Sequence, residues 1–137
     1  MKKKNLFAAG RTGRIIYWIA TIWLSLGMVS TGIVQLIRMD EEVDKIAQLG
    51  YPVYILTILG VWKMLGVVAV LIPGYPLLKE WAYAGFFFIM SGAVFSHVAV
   101  RDDAASLFGP VLLIILTLVS WYFRPTNRKL VSVNKQR

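Results

Sequence analysis

Residues 53–72 read VYILTILGVWKMLGVVAVLI, a stretch with a single charge, Lys63. A run of about 20 apolar residues is what an α-helix needs to cross a bilayer core of about 30 Å. Three more such runs flank it, at about 15–37, 81–100 and 104–123. The first has no charge, the second holds the chain's one histidine, His97, and the third contains Pro110. A helix starting at Pro110 would be too short to span, so the last helix is expected to begin earlier and bend there. No run alternates as a barrel strand would, and helices satisfy their own backbone in lipid. The predicted fold is an all-α membrane protein, an up-down bundle of four transmembrane helices. It occupies residues 15–123, between basic tails at 1–14 and 124–137.

Composition agrees. The 137 residues are 58% hydrophobic and 16% charged, against about 45–50% and about 25% in soluble domains. Cysteine is absent, which excludes disulfides, thiol catalysis, iron–sulfur clusters and Cys-based zinc sites. One histidine cannot bis-ligate a haem, so neither haem nor iron–sulfur is expected. A cleaved signal peptide is not expected either. The first apolar run is longer than a signal core, and no A-x-A site follows it.

The net charge is +8, and topology accounts for it. With four spans, both termini share one side. That side carries eleven Lys/Arg: Lys2, Lys3, Lys4, Arg11, Arg14, Lys79, Arg124, Arg128, Lys129, Lys135 and Arg137. The other side carries three, Arg38, Lys45 and Arg101, with six of the seven acids. Such a bias puts both termini in the cytoplasm. Tyr17, Trp18, Trp81, Tyr83, Trp121 and Tyr122 fall at the inner boundary and Tyr51 and Tyr54 at the outer one, as an interfacial belt would. The basic tails lie beside membrane spans, so their partner is the lipid bilayer and not nucleic acid. In the longest link, residues 40–50 read as a short surface helix that Asp40 can cap and Gly50 can close. Pro73-Gly74-Tyr75-Pro76 reads as a tight turn.

Few residues could carry chemistry. Lys63 is costly at mid-span. Gly60, Lys63 and Gly66 share one helix face, and small residues mark close helix contact, so Lys63 is expected to point into the bundle. Ser25, Ser91 and Thr117 match its depth, and no acid does. It either binds an anionic or carbonyl group or hydrogen-bonds to helix hydroxyls. Thr21, Ser25, Met28, Gly32 and Gln35 form one stripe on the first helix. The bland reading of that stripe is packing, with Gln35 the exception because an amide has more to satisfy. His97 matches Gln35 in depth and precedes Asp102 and Asp103. A histidine beside a carboxylate there could relay protons or hold a quinone-like carbonyl, or simply be a partly solvated interfacial residue. Glu80 opens the third run, where a helix dipole alone would suit it. The candidate ligand-binding residues are therefore Lys63, His97, Gln35, Glu80 and Asp102. No soluble catalytic signature appears, which points away from an enzyme.

Several blocks in order are similar to the DoxX-like family of small bacterial membrane proteins. They are Leu49-Gly50-Tyr51-Pro52, then Leu59-Gly60-Val61-Trp62-Lys63-Met64-Leu65-Gly66. Leu78-Lys79-Glu80-Trp81-Ala82-Tyr83-Ala84-Gly85 and Gly92-Ala93-x-x-Ser96-His97 follow. The resemblance covers about residues 25–122. It implies four helices in an up-down bundle in a bacterial inner membrane, and it singles out Lys63, Glu80 and His97. In the family pattern a Gly-Asp pair follows the histidine block, and here Arg101-Asp102 takes that place. The family's name comes from a subunit of a thiosulfate:quinone oxidoreductase, but the resemblance supplies no reaction.

Three functions are consistent with these residues. The first is a membrane module or accessory subunit, with a membrane protein partner or a second copy of itself. The second is a quinone- or lipid-linked oxidoreductase component, with quinone as the cofactor. The third is a small transporter or channel, which would need an oligomer for interior volume.

Overall fold

A computed structural model describes residues 10–129. The basic residues Lys2, Lys3, Lys4, Lys135 and Arg137 lie outside the described residues. Among the described residues there are five α-helices: α1 (Arg11–Leu36), α2 (Asp40–Gln48), α3 (Ile55–Leu71), α4 (Pro76–Ala99) and α5 (Ala105–Tyr122). A 3-10 turn, Thr126–Arg128, follows. No strand occurs among the described residues. α1, α4 and α5 are long and apolar enough to cross a membrane, and α3 is apolar but has 17 residues.

The packing follows chain order. α1 lies against α3 and α5, and α4 lies against the same two, closing a ring. Ala20, Leu24, Met28, Val67, Val70, Tyr83, Phe86, Met90, Leu113 and Leu116 fill its centre. Leu26, Leu65, Phe88, Phe95 and Phe108 are each more than 60% exposed. Apolar side chains turned outward to that degree suit lipid rather than water. The stripe on α1 is buried in full. Trp23, across the helix from it, is half exposed.

α1 and α3 approach closely where glycines meet. A Cβ on Gly60 would sit 3.0 Å from the Gly32 carbonyl oxygen and closer still to Leu36. This is the small-residue contact that drives helix association in lipid, and it sets Lys63 against α1.

At the α2 end, three helices stop the same way. Arg38, Gly50 and Arg101 each adopt positive φ (52°, 89° and 56°) one residue past the helix cap. Behind each, the next backbone N–H bonds back into the last turn: Met39 to Val34, Tyr51 to Ile46, Asp102 to His97. This is the Schellman closure. Gly50 thus closes α2 as its sequence suggests. Asp40 does not cap α2. Met39 occupies the cap position, and Asp40 begins the first turn with Glu41 and Glu42, where the helix dipole favours acids.

α4 starts at Pro76, a turn ahead of the apolar run, because its first turns hold Lys79 and Glu80. Pro110 lies inside α5, and the helix starts before it as expected. Tyr17 and Tyr83 depart from the interfacial belt. They are 0% and 3% exposed, turned inward by their helix faces, whereas Trp81 and Tyr122 stay outside.

Candidate functional site

Lys63 lies on the buried face of α3 and is 3% exposed. Its Nζ donates to Thr31 Oγ1 on α1 at 3.1 Å. Thr31 in turn donates to the Gly27 carbonyl at 3.0 Å, so its oxygen can accept from the lysine. An ammonium has three N–H donors, and this bond engages one. No ion pair involves Lys63 among the described residues. The hydroxyls matched to it by depth find other roles. Ser91 bonds to Phe88 O and Thr117 to Leu113 O, while Ser25 Oγ has no partner. Matching by depth named the wrong hydroxyls, because the partner is Thr31, about two turns along α1 from Ser25.

Lys63 forms part of the wall of a chamber of about 900 Å³ between the helices and under α2. Gln35, His97 and Asp102 line the same chamber. Four of the five candidate residues therefore come together. Gln35 sits one turn beyond Thr31 on α1 and is 8% exposed, and its Oε1 has no hydrogen-bond partner among the described residues. Tyr51 and Ser96, which sequence reasoning passed over, close part of the chamber wall with an Oη–Oγ bond of 2.7 Å. The Tyr51-Pro52 block of the link and the Ser96-His97 block of α4 carried the only signal for that contact.

The His97 ring reaches Asp102 Oδ2 through Nδ1 at 2.9 Å. The carboxylate accepts, so Nδ1–H donates. The backbone makes this pair. The end of α4 folds Asp102 back over the helix, with its N–H on the His97 carbonyl at 2.9 Å. Arg101 holds the left-handed conformation that a glycine would take at this position. The side-chain bond from His97, and then the Asp103 backbone N–H, hold the Asp102 carboxyl below its usual pKa.

Glu80 lies elsewhere. At the opposite end of the ring it pairs with the Arg124 guanidinium and accepts from Trp121 Nε1 at 2.8 Å. Arg124 also lies over the Trp121 ring, 4.9 Å from its centroid. Glu80 thus ties α4 to the end of α5 and takes no part in the chamber.

The same end holds an arrangement that the charge count alone did not reveal. The last four carbonyls of a helix have no partner within it. In α3, Lys79 Nζ donates to the carbonyls of Ala69, at 3.0 Å, and Ile72. Arg128 donates to Val70 at 2.9 Å and Leu71 at 3.2 Å. All four orphan carbonyls are thereby satisfied by cations, which the helix dipole also favours. Nearby, Thr21 and Tyr83 both bond to Ser120, at 2.6 and 2.8 Å.

The sequence model of the DoxX-like family matches residues 19–120. That span takes in Lys63, Gln35, His97, Asp102 and Glu80. No curated protein and no solved structure matches the chain.

Proposed function

The chain belongs to the DoxX-like family of membrane proteins, and from that premise we propose a binding role for its chamber. In this reading it is a four-span membrane module that holds a lipophilic, carbonyl-bearing small molecule at its α2 end. One observation carries the reading: Lys63, with uncommitted N–H donors, lines a chamber of about 900 Å³, and Gln35, whose Oε1 has no partner among the described residues, lines it too. Buried polar groups are normally hydrogen-bonded, and those that are not need an explanation. A ligand carbonyl would accept from Lys63, whereas Gln35 Oε1, itself an acceptor, would take a donor from the ligand or a water, and the apolar wall at Met90 and Leu113 suits a hydrophobic body.

The topology follows from the same reading. α3 rises about 26 Å, somewhat short of the bilayer core, and the cations on its last carbonyls suit a helix end at a lipid–water boundary. The Lys/Arg bias assigns that end, with both termini, to the cytoplasmic side of a bacterial inner membrane.

A second reading, an oxidoreductase component, is favoured by the His97–Asp102 pair on the chamber wall. If the ligand is a quinone, that pair could exchange its protons with water. The test is gentle purification followed by mass spectrometry of extracted small molecules. The wild type should carry a lipophilic carbonyl compound, and Lys63→Ala should carry at least ten times less. A wild-type protein with no bound small molecule would overturn the reading.

A further inference from the structure

The chamber touches two very different environments. On one side it is lined by Glu41, Asp44 and Asp103, all exposed. The basic residue beside them, Lys45, is paired with Glu42 at 3.1 Å. A mouth lined with acids repels carboxylates and phosphates approaching from water. On another side the wall is thin. Gly92 of α4 and Gly109 of α5 both line the chamber, both are exposed, and a Cβ built on either meets no atom within 4 Å. Phe88, which also lines it, is 68% exposed. A single cavity is therefore bordered by Lys63 in the interior and by residues on the outward, apolar surface.

We propose that a slot between α4 and α5, at Gly92 and Gly109, admits a neutral, membrane-dissolved carbonyl compound sideways from the bilayer. Its carbonyl oxygen accepts from Lys63, and its tail lies in the slot. The acidic mouth passes water and protons to His97–Asp102 but excludes anionic relatives of the ligand. The proposal rests on the binding reading above and adds both the route and the charge of the occupant. Two independent observations meet in it: the open glycine wall, and Lys63, which has one hydrogen bond and lines the same space.

The test uses benzophenones, which are neutral ketones that cross-link to nearby C–H bonds under light. Protein in lipid nanodiscs is exposed to a decyl-tailed benzophenone, to the same compound with a ring carboxylate, and to a tail-less one. Cross-links at Met90 and Leu113 are quantified by peptide mass spectrometry. Wild type should be labelled by the tailed neutral probe, and at least tenfold less by its carboxylate. The double variant Gly92→Leu, Gly109→Leu should lose at least tenfold of the tailed labelling and keep the tail-less labelling. Open space around each Cβ leaves room for these side chains to fold, which a thermal melt checks. Lys63→Met should lower labelling by every neutral probe.

Equal tailed labelling in the double variant would overturn the slot while leaving the chamber as a binding site. Loss of both neutral probes would mean that the leucines fill the chamber, and it would overturn the slot as a separate route. Equal labelling by the carboxylate would overturn the neutral occupant. No labelling of the wild-type chamber by any neutral probe would overturn the binding reading itself.

Discussion

Lys79 and Lys63 are buried lysines on neighbouring helices, 1% and 3% exposed. Lys79 reaches backbone carbonyls at the end of α3 and, with Arg128, completes them. Lys63 reaches one threonine hydroxyl and otherwise faces a chamber. The tail end of the ring thus uses its cations to close a helix, while the α2 end leaves a cation available. Orphan polar atoms alone do not draw this distinction. Tyr17 Oη and Ser25 Oγ also lack partners, but neither lines the chamber, so they are packing costs. A missing bond suggests a ligand only where there is space to receive one.

The largest effect should separate the two lysines by the sign of a stability change. Lys79→Met removes a charged donor from two carbonyls and should cost about 2–3 kcal/mol. Lys63→Met replaces an unpaired buried cation with an apolar side chain and should stabilise the ligand-free protein by about 1 kcal/mol. Unfolding in mixed detergent micelles measures both. Equal destabilisation would erase the contrast between the ends.

A smaller effect concerns the backbone of the chamber wall. Arg101 occupies a left-handed conformation that costs a non-glycine residue about 1 kcal/mol. Arg101→Gly should therefore raise stability by roughly that amount, less glycine's added freedom in the unfolded chain. The same substitution at Val68, a lipid-facing helical position on α3, should instead destabilise. A loss of stability at both positions would count against the Schellman closure as the feature that places Asp102.

The smallest effect is acid-dependent. The folded-state pKa of Asp102 lies below its ordinary 3.8. A carboxylate shifted that way gives its full stabilisation above the ordinary value and loses it as pH falls through the lowered one. Thermal melts from pH 5 down to pH 2.5 should show wild type losing a small increment that Asp102→Asn lacks. Parallel curves would mean that the His97 bond is not formed in solution.

Much of this was legible in the sequence, for reasons that differ by residue. Hydropathy along the chain marked the helices, because lipid rewards apolar length whatever a helix packs against. The spacing of Gly60, Lys63 and Gly66 put Lys63 on an inward face, since helical period is a local property. His97 followed closely by Asp102 and Asp103 already suggested a His–carboxylate pair, because a helix end brings such positions together. Glu80 was misleading. Its place at the start of the apolar run suggested a dipole partner and the family resemblance a ligand residue, but α4 begins four residues earlier, at Pro76, and Arg124, which engages it, lies 44 residues away.

By itself the sequence determined an all-helical membrane chain, the sign of charge at each end and the inward face of α3. Those depend on period, length and composition, which neighbouring residues share. Tertiary structure alone decided that Thr31 receives Lys63 across 32 residues and that Arg128 closes α3 across 58. It also decided that a chamber stays open beneath α2. Such pairings depend on how helices cross, and close-packed helices fix which side chains meet only once every rotation and crossing is set.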